Sequence, residues 1–379
     1  MTTSEFTSVS NYKSARAPGK LILSGEHAVV YGAPALSVAL DLYTDVWFTP
    51  VHRSEGLRTA FENLSRGHFY PFDLLKGFKQ SLDQRFDAFM QGDLPVQKIM
   101  QRPDDLAVYT MTSLLQMLPV PGRSSRLRLP VPGQLNSRSA LPLGAGMGSS
   151  AAVIAATIVL YEHLLELPQS LEDRFERVRF CERLQHGKGS FTDAAAAVFG
   201  GMNVVRGEEV SHIDIADDHP LRNGSNWYWV LHGRPDASTG ECVAAVRRDH
   251  GQDQALWQEF ETCTLSLQRA LETGDDPTGL VKLNHQLLSR IGVVPDASTR
   301  FIQAVEDAGG AAKISGAGSV RGDYAGVKLV YMPDADEMAA LMARFPERKW
   351  APLRISMKGT HLRQGVPKQM VEAASGPAV

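Results

Sequence analysis

The stretch Pro142-Leu143-Gly144-Ala145-Gly146-Met147-Gly148-Ser149-Ser150-Ala151-Ala152 carries the strongest signal in the sequence. Its glycines at alternate positions let backbone N–H groups turn inward against a ligand, because glycine adopts conformations that other residues avoid. An apolar helix predicted over Ser149–Leu165 begins at the same place, and its positive dipole end favours an anion there. A strand-to-helix turn with an ordinary serine cap is the alternative, but the pattern and the helix together favour a phosphate site.

The familiar nucleotide motifs do not describe this stretch. The chain contains no Gly-Lys-Ser or Gly-Lys-Thr, which excludes the common P-loop. A dinucleotide fingerprint would need a glycine where Ser149 stands, and protein kinase signatures are absent. The sequence therefore predicts a phosphate site of another class.

Length, composition and charge limit the possible functions. A chain of 379 residues is too long for one ordinary core, so two domains are expected. Apolar residues make up 43% and charged residues 21%, close to the average of soluble globular proteins. The net charge of -3 gives no field for nucleic acid or an anionic membrane, so any anion must be bound locally.

The three cysteines and the N-terminal residues indicate the cellular compartment of the protein. Cys181, Cys242 and Cys263 are far apart and odd in number, which fits neither a disulfide framework nor a zinc knuckle. Residues 1–17 lack the apolar segment of a signal peptide, and no later run reaches the ~18 apolar residues of a membrane span. We expect a cytoplasmic protein.

The hydrophobic pattern predicts mixed α and β structure in the first part of the chain. Two paired strands are predicted at 21–30 and 35–49 around a turn at 31–34. The polar, turn-rich stretch 207–225 predicts a boundary that separates residues 1–225 from 226–379. Further elements are predicted as helices at 83–90, 104–118, 149–165, 171–185 and from 194, and a strand at 126–131.

The second part is predicted to lay helices on one face of a mainly antiparallel sheet, an α+β arrangement. Its predicted strands are 227–231, 312–315, 327–331 and 353–357, and its predicted helices are 255–273, 278–291, 297–308 and 336–345.

Three further motifs accompany the glycine-rich stretch. They are APGKLILSGEHAVVYG at 17–32, HGKGSFTD at 186–193 followed by Gly200-Gly201, and KISGAG at 313–318. All four resemble, in family order, motifs of the galactokinase, homoserine kinase, mevalonate kinase and phosphomevalonate kinase (GHMP kinase) superfamily. The galactokinase branch continues Gly-Glu-His with Thr-Asp-Tyr, so Ala28-Val29-Val30 points to the mevalonate kinase branch.

The resemblance implies a two-domain GHMP kinase fold. Its N-terminal domain is like domain 2 of ribosomal protein S5, its C-terminal α+β domain is ferredoxin-like, and the nucleotide lies in the cleft between them. It also implies ATP and Mg²⁺ and a small-molecule acceptor, and it allows a homodimer, for which the sequence shows no interface. Nucleotide phosphates are assigned to Pro142, Gly144, Ala145, Gly146, Met147, Gly148, Ser149, Ser150 and Ala151.

The resemblance also assigns the chemistry. Asp193 matches the catalytic aspartate and Lys20 its neighbouring lysine, while Ser150 and Glu182 match the magnesium ligands. Asp193 either accepts the proton of the acceptor hydroxyl or mainly positions that hydroxyl. Without the resemblance, Asp193 would be read as a helix N-cap. The residues assigned to the acceptor are Glu26, His27, Thr239, Gly316 and Ala317.

The sequence departs from the family in two of its motifs. The third motif continues as Ser319-Val320-Arg321-Gly322-Asp323-Tyr324 where a run of glycines is usual. Gly189 replaces a usual proline and Phe191 a usual glycine, so we expect a substrate pocket of different shape. Arg321 either points into solvent or reaches an extra anionic group of a phosphorylated acceptor.

The function predicted from these motifs is transfer of the γ-phosphate of ATP to the primary hydroxyl of mevalonate. Phosphomevalonate or another small molecule is the alternative acceptor. A decarboxylase on the same fold, which first phosphorylates a tertiary hydroxyl, and a nucleotide-binding module without turnover are the rival classes.

Overall fold

Two β-sheets organise the residues that the computed structural model describes, which are 14–51, 54–62, 64–65, 67–117 and 132–364. The first sheet has the strand order β12-β1-β2-β5-β3-β4, with β6 paired to β2 and β7 paired to β6. Its strands are β1 (Ser14–Ser24), β2 (Ala35–Pro50), β3 (Gly56–Phe61), β4 (Phe69–Pro71), β5 (Gly133–Ser139), β6 (Met202–Arg206), β7 (Glu209–Ile213) and β12 (His361–Arg363).

The predicted pairing of the first two strands is present, with different bounds. β1 and β2 run antiparallel, and their register shifts between Pro18 and Lys20. The chain leaves β1 after Ser24 because Gly25 takes a φ of 89°, a left-handed conformation that ends an extended strand. Residues Ala28–Tyr31 then form a 3₁₀ helix instead of continuing the strand.

The helices of the first part pack around α3 beside this sheet. α3 (Ser149–Leu165) is apolar on all sides, which is typical of a buried helix. It contacts strands β1 and β2 and helices α2 (Asp105–Leu115) and α4 (Leu171–His186). Its bounds agree with the prediction. The helices are α1 (Phe72–Met90), α2 (Asp105–Leu115), α3 (Ser149–Leu165), α4 (Leu171–His186), α5 (Phe191–Phe199) and α6 (Pro220–Asn223).

The second sheet is antiparallel throughout, with the order β11-β8-β10-β9. Apolar residues of α10 and α11 pack on one of its faces, as expected of an α+β arrangement. Its strands and the accompanying helices are β8 (Trp227–Leu231), β9 (Ala311–Ile314), β10 (Val327–Tyr331), β11 (Lys349–Pro352), α7 (Thr239–His250), α8 (Gln254–Thr273), α9 (Thr278–Arg290), α10 (Asp296–Asp307) and α11 (Ala335–Ala343).

The end of the described chain returns to the first sheet. Residues Ser14 to Arg16 of β1 pair with Arg363 to His361 of β12. Residues 226–364 therefore contribute to both sheets, and the division at 225 and 226 stays a prediction.

One predicted strand is wrong and another lies outside the described residues. The strand predicted at 353–357 is replaced by β11, because residues 353–356 cross from the second sheet to the first. Along that crossing Leu353 N–H donates to the Trp227 carbonyl and Ser356 N–H to the Ala39 carbonyl, 2.8 and 2.9 Å away. The strand predicted at 126–131 falls in residues that the structure does not describe. Across the described ranges, no helix combines the length and the apolar character that a membrane crossing needs.

Candidate active site

The phosphate loop predicted from sequence runs from Pro142 to the first turn of α3 and joins β1 through the backbone. Lys20 N–H donates to the Met147 carbonyl at 2.9 Å. Gly144, Gly146 and Gly148 have φ values of 72°, 82° and 72°, the left-handed region where glycine is unstrained. A Cβ at Gly148 would lie 2.9 Å from Lys20 Cγ and 3.0 Å from Asp193 Oδ1, so the glycine there permits close approach.

Lys20 and Asp193 meet at the start of α3. Their Nζ and Oδ1 atoms are 3.6 Å apart, and the two side chains are 7% and 16% exposed. This distance is too long for a strong hydrogen bond, so both groups keep the capacity to bind a ligand. The structure thus brings together the two residues that the resemblance assigns to catalysis.

Ser190, and not Asp193, caps α5. Ser190 Oγ accepts a hydrogen bond from Asp193 N–H at 3.2 Å and donates to Asp193 Oδ2 at 2.5 Å. The alternative interpretation of Asp193 as an N-cap is therefore wrong, because the aspartate is the third residue of the helix. Sequence reasoning missed Ser190, although a serine three residues before an acidic residue is a known capping signal.

Glu182 connects α4 to the phosphate loop. Ser150 Oγ donates to Glu182 Oε1 at 2.9 Å, and Ser190 N–H donates to Glu182 Oε2 at 3.0 Å. The carboxylate is fully buried. Burial and the nearby charge of Asp193 raise the pKa of Glu182 above its usual range. Among the described residues Glu182 forms no ion pair, although the charge of Lys20 partly opposes the rise of its pKa.

The third motif docks on the first motif. Ser315 Oγ accepts from Ile22 N–H and donates to the Ile22 carbonyl, both at 2.9 Å. His27 Nε2 lies 3.0 Å from the Ala317 carbonyl. A carbonyl only accepts, so Nε2 carries the proton, and burial lowers the pKa of His27, which favours the neutral ring. His27, Gly316 and Ala317, all predicted near the acceptor, therefore lie at one junction.

Glu26 forms a buried ion pair with Lys313 on β9. The two side chains are 1% and 0% exposed. Burial lowers the pKa of Lys313, and the charge of Glu26 opposes that shift. Glu26 Oε2 is buried without a hydrogen-bond partner among the described residues. Sequence reasoning placed Lys313 only within a motif and assigned it no role.

Thr239 lies at the edge of this junction. It is the first residue of α7, a helix that the hydrophobic pattern did not predict, and it is exposed. The start of α7 is attached to the third motif, because Ala237 N–H donates to Ser319 Oγ at 2.9 Å and Cys242 Sγ lies 3.6 Å from the Gly318 carbonyl. The Thr239 hydroxyl makes no hydrogen bond within the described part of the chain.

The unusual loop after the third motif is held by Asp236. Asp236 Oδ2 accepts from the backbone N–H groups of Asp323 and Tyr324, both at 2.8 Å. Arg321 is exposed and lies 3.3 Å from Glu241 on α7. Of the two alternatives for Arg321, the solvent-facing one describes the structure.

The other departures from the family pattern are accommodated on α4. The Arg179 guanidinium lies 3.4 Å from the centre of the Phe191 ring. A Cβ at Gly189 would approach the Arg179 carbonyl oxygen to 2.2 Å, so only glycine fits there. The change in pocket shape that we expect from Phe191 stays a prediction.

Comparison with known proteins agrees with this fold. Residues 117–201 match the model of the GHMP kinases N terminal domain. The chain is 27% identical over 320 residues to the mevalonate kinase of Thermococcus onnurineus, covering 80% of this chain and 86% of that one. The solved Methanococcus jannaschii mevalonate kinase superposes with a TM-score of 0.73 at 19% identity, over 92% of this chain and 99% of that one. The L. major mevalonate kinase in complex with R-mevalonate gives a TM-score of 0.63 at 20% identity, over 92% and 98% of the chains.

The matched N-terminal domain model and the shared fold agree with the resemblance to the GHMP kinases. The predicted resemblance to this superfamily and the predicted α+β fold are confirmed. Its curated relatives are mevalonate kinases, and the prediction of an ATP-dependent small-molecule kinase is confirmed with them.

Proposed function

We propose that the chain transfers the γ-phosphate of ATP to the primary hydroxyl of mevalonate, giving 5-phosphomevalonate. The observation that carries the proposal is the approach of Lys20 to Asp193, 3.6 Å apart, directly beside the last glycine of the phosphate loop. The relatives named as mevalonate kinases and the structure with bound R-mevalonate support the choice of acceptor.

Asp193 and Lys20 supply the groups that phosphoryl transfer needs from the protein. The reaction requires an oriented hydroxyl, a place for its proton and neutralisation of the γ-phosphate charge. Asp193 Oδ2 is held by Ser190, which fixes the carboxylate, while Oδ1 faces Lys20 and is free to accept from the acceptor hydroxyl. The positive charge of Lys20 attracts the γ-phosphate.

Ser150 and Glu182 fit the proposed magnesium site. Mg²⁺ prefers hard oxygen ligands and uses one or two protein groups together with phosphate oxygens. The buried carboxylate of Glu182, with its raised pKa, would be stabilised in its ionised form by a cation. When bound, Mg²⁺ offsets the charge of the phosphates.

Glu26, His27 and Thr239 are the proposed acceptor residues, with Gly316 and Ala317. Because the neutral His27 donates from Nε2 to the third motif, Nδ1 remains as a hydrogen-bond acceptor. Nδ1 can accept from a hydroxyl of the acceptor molecule but not from a carboxylate. A phosphorylated acceptor would need a further cation near this junction. Arg321, the residue considered for that role, is exposed and paired with Glu241, which favours mevalonate over phosphomevalonate.

The remaining expectations are proposals that rest on the superfamily. They are a nucleotide site between residues 1–225 and 226–379, a cytoplasmic location and a homodimer. The mass of the protein in solution tests the last of these.

A coupled ADP-release assay tests the proposed reaction. The full chain is supplied with ATP, Mg²⁺ and, in turn, mevalonate, phosphomevalonate, galactose or homoserine, with Asp193→Asn as control. Turnover with mevalonate that is lost in the variant supports both the reaction and the role of Asp193. Turnover only with another acceptor contradicts the choice of mevalonate. Release of carbon dioxide with ADP indicates a decarboxylase. Absence of turnover with every acceptor favours the nucleotide-binding module without turnover.

A further inference from the structure

The segment after β8 brings an arginine from the second sheet onto the phosphate loop. A methyl group at Gly144 would lie 3.2 Å from Arg234 Cδ and 3.4 Å from Arg234 Nε, so the arginine side chain covers this glycine. Gly144 is the first glycine of the loop and has a φ of 72°. The missing side chain at Gly144 therefore leaves the space that Arg234 occupies.

The unusual loop after the third motif holds this segment in place. Asp236, two residues after Arg234, accepts two backbone hydrogen bonds from that loop and donates its own N–H to the Tyr324 carbonyl at 3.0 Å. Tyr324 also packs on Gly233, where a Cβ would approach the ring to 2.7 Å. Bulky and polar residues that stand where the family has glycines thus fix the backbone on both sides of Arg234.

A second contact ties the same region to the phosphate loop. Val327 N–H points at the Ala145 carbonyl, 3.4 Å away. A Cβ at Gly326 would lie 2.9 Å from that carbonyl oxygen and 3.1 Å from Pro235 Cγ. The start of β10 and the Arg234 segment therefore form one wall of the loop.

The charges near the loop leave Arg234 available. Lys20 lies close to Asp193, whereas Arg234 has no hydrogen bond or ion pair within the described residues. The guanidinium is charged at any physiological pH and presents several donors in a planar fork that matches phosphate oxygens. Even with Mg²⁺ bound, a nucleoside triphosphate keeps a net negative charge that the single charge of Lys20 does not balance.

We infer that Arg234 binds the phosphate chain of the nucleotide at the Gly144 end of the loop, whereas Lys20 lies at Gly148. The inference rests on the proposed ATP-dependent function but not on the identity of the acceptor. Arg234 acts on nucleotide affinity, and the divergent loop positions it.

Calorimetric titration of the full chain with MgATP, MgADP and adenosine, without acceptor, tests the inference. Arg234→Met removes the charge and keeps part of the stem, and Arg234→Lys keeps a charge without the fork. Arg321→Met is the matched control, because Arg321 is also an exposed arginine, lies in the loop that positions the Arg234 segment, and is paired with Glu241. We expect Arg234→Met to weaken MgATP binding about 10- to 100-fold, the range of a lost hydrogen bond to a charged group.

The other expected results separate phosphate binding from its alternatives. In Arg234→Met, the adenosine affinity in the titration and the KM for the acceptor in the ADP-release assay should each change less than about twofold. Arg234→Lys should bind MgATP with an affinity between those of Arg234→Met and the unmodified protein. Arg321→Met should bind MgATP like the unmodified protein. Unchanged MgATP binding in Arg234→Met, an equal loss for adenosine, or an equal loss in Arg321→Met would each overturn the inference. Failure of the unmodified protein to bind MgATP would instead overturn the kinase proposal, and the inference with it.

Discussion

Two lysine–carboxylate pairs lie near the end of β1, and they differ in burial and contact. Lys20 and Asp193 are 3.6 Å apart and partly reached by solvent, while Lys313 and Glu26 are in direct contact and shielded from it. The separation of the first pair is too long for a strong hydrogen bond, so both of its groups remain able to bind a ligand. A tight pair without solvent is costly to separate. The comparison suggests that the first pair serves the reaction and the second holds the first and third motifs together.

The largest expected effect is on the reactive pair. Asp193→Asn should lower kcat about 10³-fold, the typical contribution of a positioned general base, because the amide cannot accept the proton. The free energy of unfolding should change by less than about 1 kcal/mol, since the asparagine oxygen still accepts from Ser190. Steady-state kinetics and urea denaturation of the same preparation measure both. A variant that is inactive because it is unfolded would contradict the comparison.

The next effect is on the buried pair. Lys313→Met leaves Glu26 as an uncompensated buried charge and should lower the free energy of unfolding by about 3–5 kcal/mol. The double variant Lys313→Met/Glu26→Gln should recover much of this loss, because neither charge remains. Urea denaturation measures the change. Lys79→Met, which breaks a more exposed pair with Asp83, is the control and should cost less than about 1 kcal/mol. Equal losses in the two lysine variants would show that burial does not distinguish the pairs.

Substitutions at two glycines of the phosphate loop test whether close approach to Lys20 and Asp193 matters for activity. Gly146→Ala and Gly148→Ala impose similar backbone strain, because both residues have positive φ. Only the methyl group at 148 meets Lys20 and Asp193, whereas the nearest atom to a methyl at 146 is the Ser315 carbonyl oxygen at 3.9 Å. We expect kcat/KM to be at least about 10-fold lower in Gly148→Ala than in Gly146→Ala. Similar values would mean that strain alone accounts for both variants.

The smallest expected effect is the pH dependence of the region around Lys313. Burial, and next the charge of Lys313, lower the pKa of His285 from 6.5 to about 4. His285 is therefore protonated below pH 6.5 in the unfolded chain but only below about pH 4 in the folded protein. The stability contribution is present above that window and is lost as the pH falls through it.

The expected loss between pH 7 and pH 5 is about 1–2 kcal/mol, allowing for the partial exposure of the ring. Urea denaturation at the two pH values measures it, with His285→Gln as the matched variant that cannot titrate. The pH dependence of the variant should be smaller by that amount. If the pH dependence of the variant equals that of the unmodified protein, the pKa of His285 is not lowered in the folded protein as proposed.

Local sequence predicted the elements whose residues are strongly and uniformly apolar. The bounds of α3, β8 and β10 agree with the prediction, because each is a buried run that ends at clear turn residues. α7 was missed because only Cys242 and Val246 are buried in it, so its apolar pattern is too weak to see. The strand predicted at 353–357 failed because hydrogen bonds to the first sheet redirected that segment.

The sequence by itself determined the phosphate loop, the motifs and the superfamily, because glycine spacing and motif order are local properties of the chain. Only the tertiary structure revealed the charged contacts to which the motifs assign no role. Lys313 and Glu26 are 287 positions apart, and their contact depends on how the second sheet docks on β1. The cover of Gly144 by Arg234 likewise depends on a loop whose residues depart from the family pattern. Such long-range contacts are set by packing and register, which no local pattern encodes.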